Sequence, residues 1–290
     1  MIKIKKARIE DFNQVFGLLG KLDDKNNSKK DWLNLFKNHF NSRIGYHGYI
    51  LIDNDQIKGF LGLIFSTRRI DNKEVNFCNI GNWIVDPDYR HKSINLLFPV
   101  LNIQDHILTN FTASKTVSKI LKTLKFEELG HEFFIIPPLL NLSILKRKNF
   151  IIKYGKKIKK NLSFDDQRIF TDHSNPNFNI EHILFINNQE YCYLIAKKTY
   201  RNHLPFLHIH YLNNIKLFLL FIEYFKIIAP MKFGVVSIIL DKSLLQNEKI
   251  PYSIIYKLQS PRFFKQNIES PFDKKYFTDH LYSEFIILNI

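Results

Sequence analysis

The residues best suited to chemistry lie between Asn79 and Leu97, where an apolar strand pattern, a turn and the start of a helix follow one another directly. The turn Asp86-Pro87-Asp88 ends the strand because Pro87 has no N–H to give to a β-ladder. Unpaired backbone amides and the dipole at a helix start favour a bound phosphate, and nearby cations add to this preference. The polar and cationic residues after the turn are Arg90, His91, Lys92, Ser93 and Asn95. The stretch therefore predicts an anion-binding site.

The same residues resemble motif A of the GCN5-related N-acetyltransferase (GNAT) superfamily, in which V-x-P-x-Y-R leads into a loop that cradles the pyrophosphate of acetyl coenzyme A. The four residues that match position by position are Val85, Pro87, Tyr89 and Arg90. Ser93 and Asn95 stand where the family has glycine, and glycine or alanine. The resemblance implies acetyl coenzyme A or another short acyl-CoA as co-substrate, and no metal. The coenzyme contacts that it implies are Trp83, Ile84, Val85, Arg90, His91, Lys92, Ser93, Ile94, Asn95 and Ser114.

Composition predicts a globular protein with an anionic partner. The 290 residues are enough for two cores, and 45% of them are hydrophobic. Cys78 and Cys192 are far apart, which indicates neither a disulfide framework nor a zinc site and fits a reducing compartment. No signal peptide and no apolar run long enough to span a membrane is visible, so we expect a cytoplasmic protein without stable membrane insertion.

The net charge of +15 has two explanations that the sequence leaves open. A positive field would steer coenzyme A or another polyanionic substrate to the protein. A genome composition rich in Lys and Asn codons would produce much of the same charge without a function. No DNA partner is expected, because no nucleic-acid recognition motif is present.

The order of predicted elements in residues 1–140 is strand, two helices, three strands, the anion loop and its helix, strand, helix and strand. Alternating apolar residues predict the strands, and apolar residues spaced three and four apart predict the helices. This order is similar to that of the GNAT fold. We therefore expect an α/β (α+β) protein with a mixed, mostly antiparallel central sheet flanked by helices, and a catalytic domain that binds acyl-CoA in residues 1–140.

The rest of the chain predicts a basic linker, residues 141–179, and a second, smaller domain, residues 180–290. Lys146 to Lys160 holds eight cations and no acid. It fits an amphipathic helix between domains, a basic wall beside a phosphate-bearing substrate, or a membrane-surface helix. The later order of strand, strand, strand, helix, strand resembles a degenerate GNAT unit that helps bind the acceptor. Phe285 to Ile290 reads as a closing strand.

For catalysis, the resemblance implies direct attack of an amine on the thioester, with a bulge near Gly81 or Asn82 that splays the strands. Asn79 and Asn82 would orient the acceptor. Leu121 stands where the family often has a tyrosine acid, so the candidate bases are His131, Glu132 and Asp86.

The function that the resemblance implies is CoA-dependent acylation of an amino group on a nucleotide-linked amino deoxysugar, for bacterial surface polysaccharides such as O-antigen or capsule. Two alternatives remain. Tandem units of this fold also occur in aminoacyl-tRNA-dependent (Fem-type) transferases, where RNA would explain the basic charge. Alternatively, Ser93 and Asn95 would mark a non-catalytic binding module that has lost coenzyme binding.

Overall fold

A computed structural model describes residues 2–22, 26–40, 42–139, 150–246 and 248–290. Its strands are β1 (Lys3–Lys6), β2 (Gly48–Asp53), β3 (Gln56–Ile70), β4 (Lys73–Val85), β5 (His106–Asn110), β6 (Glu127–Ile136), β7 (Ile151–Tyr154), β8 (Ile180–Asn187), β9 (Glu190–Arg201), β10 (Leu204–Leu212), β11 (Ser237–Asp241) and β12 (Ile254–Asn267). Its α-helices are α1 (Phe12–Leu19), α2 (Lys29–Trp32), α3 (Phe98–Leu101), α4 (Lys115–Thr123), α5 (Phe164–Asp172), α6 (Ile215–Phe233) and α7 (Glu284–Ile287).

The chain forms two compact units whose bounds differ from the predicted segments. Unit 1 contains Met1–Glu128, Arg262–Asp273 and Tyr282–Ile290, and unit 2 contains Leu129–Pro261 and Lys274–Leu281. The C-terminal part of the chain thus contributes to both units, so one boundary in the sequence cannot separate them. The segment predicted as a linker contains β7 and α5, which belong to unit 2. Residues 141–149 of that segment lie outside the described part of the chain.

Unit 1 is built on a sheet with the strand order β1-β2-β3-β4-β5-β12. Neighbouring strands are antiparallel except for β4 and β5, which are parallel. The predicted mixed, mostly antiparallel sheet flanked by helices is therefore confirmed. One core forms where the sheet packs on α4, whose Leu121 is buried with Leu61, Ile80 and Leu108. The apolar spacing of α4, with Ser114 as its N-cap, made this helix predictable from the sequence.

The centre of unit 1 is opened by a bulge in β4 and by the divergence of β4 from β5. The pairing of β3 with β4 shifts between Gly62, opposite Gly81, and Leu61, opposite Trp83, so Asn82 is the extra residue. Its φ of 52° is left-handed, a region that asparagine tolerates better than most residues. The predicted bulge is thus confirmed. The β4–β5 ladder includes Asn79 opposite Thr109, and one residue further along each strand the Asn110 side chain donates to the carbonyl oxygen of Ile80 at 2.7 Å.

Unit 2 has a sheet with the order β6-β11-β10-β9-β8-β7. Here β10 and β11 are parallel, and the other neighbouring pairs are antiparallel. The long helix α6 buries Phe218, Phe221 and Phe225 against this sheet. The strand, strand, strand, helix, strand order predicted for residues 182–240 agrees with β8, β9, β10, α6 and β11. Among the described helices, none is long and apolar enough to cross a membrane.

Three local predictions differ from the structure. The segment predicted as a closing strand begins instead inside the short helix α7. The described part of the basic stretch forms β7 followed by a 3-10 helix, Gly155–Asn161, rather than one amphipathic helix, because Gly155 adopts a left-handed φ of 65°. The segment after the turn is a 3-10 helix, Pro87–Leu96, and not an open loop. Proline at its first position begins this helix early.

Gly48 cannot be replaced without a large loss of stability. Its φ is 144°, and an added Cβ would lie 2.1 Å from the carbonyl oxygen of Leu61. We expect Gly48→Ala to cost about 3 kcal/mol in urea unfolding, because it combines a glycine-only backbone with a clash against backbone. Gly17→Ala is the control, since nothing lies within 4 Å of its added Cβ in α1. It should stabilise the protein by about 0.5 to 1 kcal/mol, and equal effects of the two substitutions would contradict this account.

Candidate active site

A cavity of about 320 Å³ lies in unit 1 at the bulge of β4. Its walls come from β4, from the end of β5 and the turn after it, from α4, from the N-terminal helices and from the C-terminal segment. The lining residues are Leu22, Trp32, Asn82, Trp83, Asn110, Thr112, Ala113, Ser114, Val117, Glu284 and Ile290. The β4–β5 ladder ends at Asn79 opposite Thr109, and the cavity lies just beyond that end.

Glu284 is the carboxylate of this cavity. It is only 1% exposed, and its Oε1 accepts a hydrogen bond from Thr112 Oγ1 at 2.7 Å. The carboxyl group lies over Gly81, where an added Cβ would meet Glu284 Cδ at 3.3 Å. Burial raises the pKa of Glu284 to about 7, since the hydrogen bond from Thr112 and the charge of Arg262 offset the desolvation only in part. Such a carboxyl group exchanges a proton near neutral pH.

The C-terminal segment holds Glu284 in place. Asn289 N–H donates to Asn27 Oδ1 at 2.8 Å, and the Tyr282 ring packs edge-on against Phe40 at 5.0 Å between centroids. Between these two anchors, Ile286, Ile287 and Leu288 are buried. The apolar burial around Glu284 therefore fixes its carboxylate at the start of α7 and also raises its pKa.

Several buried polar atoms around the cavity have no hydrogen-bond partner within the described residues. They are Asn82 Nδ2, Trp83 Nε1, Asn110 Oδ1 and Glu284 Oε2. Leaving a buried donor or acceptor unpaired costs about 1 to 3 kcal/mol. Several such atoms around one cavity are therefore uncommon in folded proteins. Two donors and two acceptors around one cavity indicate a site for a polar ligand.

The helical turn that carries the sequence motif lies next to β4 in the chain. Arg90 and His91 are exposed, while Lys92, Ser93, Ile94 and Asn95 are partly buried. Tyr89 has a structural contact, because its hydroxyl donates to Asp53 Oδ2 at 2.9 Å. Val85 and Leu96 both pack at Gly59, where an added Cβ would lie 3.1 to 3.2 Å from their side chains. Arg90 and His91 thus face solvent, and the apolar residues of the motif anchor the turn.

The structure brings only some of the predicted site residues to the cavity. Asn82, Trp83 and Ser114 line it. Asn79 is buried and donates to Thr109 Oγ1 at 3.2 Å, and the Ser114 hydroxyl accepts from Val117 N–H as the α4 cap. Ile84 and Val85 continue β4 beyond the bulge.

The three predicted bases have other surroundings. Asp86 lies 3.3 Å from Lys21 Nζ. His131 and Glu132 belong to β6 of unit 2, and Lys242 Nζ donates to Glu132 at 2.7 Å. This hydrogen bond holds the pKa of Glu132 below its usual value, which makes it a weaker base. A base role for Asp86, His131 or Glu132 stays a prediction, and Glu284 is better placed for it because it lies at the cavity.

Sequence reasoning missed Glu284, Thr112 and Asn110. Glu284 did carry a signal, because it is a single acid followed directly by the apolar run Phe285 to Leu288. An acid beside such a run is either exposed at the end of the run or buried, and buried acids are frequent at functional sites. The distance of 172 residues between Glu284 and Thr112 hid the second possibility from the sequence.

Comparison with solved structures places the fold among acyltransferases. A GCN5-related N-acetyltransferase from Anabaena variabilis matches with a TM-score of 0.58 and 12% identity over 91% of this chain and 72% of that one. A probable N-acyltransferase from Enterococcus faecalis matches with a TM-score of 0.58 and 12% identity, covering 92% and 73% of the two chains. N-myristoyltransferase of Saccharomyces cerevisiae, with bound myristoyl-CoA, matches with a TM-score of 0.54 and 10% identity over 91% and 79%.

These likenesses define the fold as that of the GCN5-related N-acetyltransferases, and at such identities they show the fold alone. No protein-family model and no curated protein matches the sequence.

Proposed function

We propose that the protein is an acyl-CoA-dependent N-acyltransferase in which Glu284 is the general base. The observation that carries this proposal is the buried Glu284 carboxylate at the β4 bulge, whose pKa burial raises to about 7 although Thr112 and Asn79 favour its charged form. A general base works best when its pKa lies near the working pH. The fold supports the choice of reaction, since the similar structures are named as N-acyltransferases.

In direct transfer, a C–N bond forms to the acyl carbon as the C–S bond of the thioester breaks. Glu284 Oε2 would accept the proton that the attacking amine loses, and the thiolate of coenzyme A would leave. Asn82 Nδ2 and Trp83 Nε1 are donors at the same cavity, and we assign them to hold the reacting groups in line. The backbone N–H at the bulge is assigned to the carbonyl oxygen, where negative charge develops.

We place the pyrophosphate of the donor at the helical turn Pro87–Leu96, which follows β4 in the chain and contains the cations Arg90 and Lys92. We expect Arg90→Ala to raise KM for the acyl donor about tenfold and to change kcat little, because the lost contact is made equally in the ground and transition states. Steady-state kinetics at varied acyl-CoA measures this. Lys3→Ala, which removes an exposed cation from β1, should leave KM unchanged. An unaltered donor KM in Arg90→Ala contradicts the pyrophosphate assignment.

For the acceptor, we propose the amino group of a nucleotide-linked amino deoxysugar, in the synthesis of bacterial surface polysaccharide. A groove of about 1040 Å³ in unit 2 supports a polyanionic acceptor. Its cationic lining residues are Lys153, Lys156, Lys157, Lys159 and Lys160. With the net charge of +15, these lysines produce a field that attracts phosphate groups.

Thermal unfolding in the presence of ligands tests the proposal. Ligand at 100 times its Kd stabilises the folded state by about 2.7 kcal/mol, so coenzyme A and one nucleoside diphosphate should each raise the melting temperature by several degrees. Stabilisation by coenzyme A and by tRNA, with the tRNA effect falling steeply as salt rises, would replace the sugar with a tRNA acceptor. No response to coenzyme A would contradict acyl transfer.

A further inference from the structure

Unit 2 contains a cluster of buried histidines. His208 and His210 lie on β10, and His280 lies in the segment Lys274–Leu281 of the same unit. The three side chains are 2%, 0% and 0% exposed. One ring nitrogen from each lies within 4.8 Å of the other two. We propose that these three imidazoles bind a divalent transition-metal ion, with zinc the best match.

The bulge in β10 brings the three rings together. The register of β10 against β9 shifts between Ile209 and Tyr211, so His210 is the extra residue. The carbonyl oxygen of His210 accepts the backbone N–H of His280 at 3.0 Å, which holds the second segment against the bulge. The His208 and His210 rings, two residues apart on β10, are tilted by 43° with their centroids 4.2 Å apart. This convergence depends on backbone geometry and therefore exists before any ion binds.

One pair of nitrogens, which are also within hydrogen-bond distance of each other, has the spacing of two ligands of one metal ion. His210 Nδ1 and His280 Nδ1 lie 3.3 Å apart. In a tetrahedral zinc site with Zn–N distances of about 2.0 to 2.1 Å, two ligand nitrogens are separated by roughly 3.3 Å. Imidazole is a ligand that zinc, copper, nickel and iron share, whereas calcium and magnesium prefer oxygen. The donor set therefore selects the late first-row ions.

A buried carboxylate lies beside the cluster. Asp241 Oδ2 lies 3.5 Å from His280 Nε2, and Asp241 is 1% exposed. Its other oxygen accepts from Ser243 N–H at 2.9 Å and from Ser243 Oγ at 2.6 Å, which fixes the orientation of the carboxylate.

The location within unit 2 is equivalent to that of the candidate active site within unit 1. Each lies at a bulge in a strand that is antiparallel to one neighbour and parallel to the other, β4 in unit 1 and β10 in unit 2. The C-terminal segment supplies Glu284 to the first and His280 to the second. The sequence predicted no metal, because the two cysteines lacked metal-ligand spacing and His280 lies 70 residues after His210.

Metal analysis of the full chain, expressed without a histidine tag and desalted, tests the proposal. We expect about one equivalent of zinc or another late first-row ion by mass spectrometry. After removal of the metal with a chelator, added Co²⁺ should give visible absorption bands typical of tetrahedral nitrogen coordination, and Zn²⁺ should restore the melting temperature. His280→Asn and His208→Gln should reduce bound metal at least tenfold.

His182→Asn is the matched control, because His182 is also a buried histidine of unit 2 but bonds to Tyr193 Oη at 2.7 Å. It should retain the metal content of the original chain. The proposal is overturned if the unaltered chain contains less than roughly a tenth of an equivalent and gains no thermal stability from added Zn²⁺, Co²⁺, Ni²⁺ or Mn²⁺. It is also overturned if His280→Asn binds as much metal as the unaltered chain. The measurements on the unaltered chain decide the question even if a variant fails to fold.

Discussion

Glu284→Gln is expected to lower kcat by a factor of about 10² to 10⁴ while making the folded protein more stable above pH 7. The loss of rate follows from the loss of the proton acceptor. The gain in stability follows from burial, because the pKa of Glu284 rises from 4.5 to about 7, which corresponds to about 3 kcal/mol. Between those pH values the folded state holds more protons than the unfolded state, so stability falls as the pH rises and is level above 7.

The glutamine cannot ionise, so its stabilising effect should be largest at pH 8 and absent near pH 4.5. Thermal unfolding across this range, together with kcat, measures both effects on one variant. In the original protein, kcat should rise with pH through about 7, because the carboxylate is the active form. Thr112→Val should move that midpoint upward, since the Thr112 hydrogen bond lowers the pKa of Glu284.

Glu10→Gln, which neutralises an exposed acid in unit 1, is the control and should change neither kcat nor the pH profile. A Glu284→Gln variant with the original kcat would refute the base assignment. A variant that is inactive and also less stable at pH 8 would show that Glu284 has a structural role instead.

Lys226→Met should destabilise the protein by about 3 to 5 kcal/mol. The Lys226 side chain in α6 is fully buried, and its ammonium donates to Glu223 Oε1 at 2.7 Å. It also donates to the carbonyl oxygens of Leu139 at 3.1 Å and Pro251 at 2.8 Å. Methionine fills a similar volume but leaves three acceptors without this donor, one of them a buried carboxylate. Urea unfolding measures the loss.

A second substitution separates charge from packing in this network. Glu223→Leu combined with Lys226→Met should be more stable than Lys226→Met alone, because the double variant has no buried carboxylate that lacks the lysine's charge. Lys216→Met makes the same replacement at an exposed position of α6 and should change stability by less than about 0.5 kcal/mol. If Lys226→Met unfolds at the urea concentration of the original chain, the network does not stabilise unit 2.

Local patterns made much of the fold predictable. The apolar spacing of Val117, Leu121 and Leu124 indicated α4, which forms as expected. Turn chemistry at residues 53–55 indicated the hairpin of β2 and β3. The motif around Pro87 led to the acyltransferase fold. In each case the decisive interactions lie within a few residues of one another, so short stretches contain the whole signal.

Local patterns were insufficient for two other segments. Phe285 to Ile290 looked like a strand because it is apolar, and apolarity alone does not distinguish a strand from a buried helical turn. Gly155 interrupts the basic stretch because its φ is positive, and the sequence does not show which φ a glycine adopts.

The sequence by itself determined the cationic turn after β4, which depends on local residue types and their spacing. The resemblance of its motif and element order implied the class of fold and the bulge near Asn82. Only the tertiary structure decided which acid faces the cavity and which histidines meet. Glu284 reaches Thr112, and His280 reaches His210, across 172 and 70 residues of chain. Burial sets the pKa of Glu284, and burial is a property of the packed neighbours rather than of the residue. Both candidate sites therefore depend on residues near the C-terminus, whose partners are distant in the sequence and adjacent only in the folded chain.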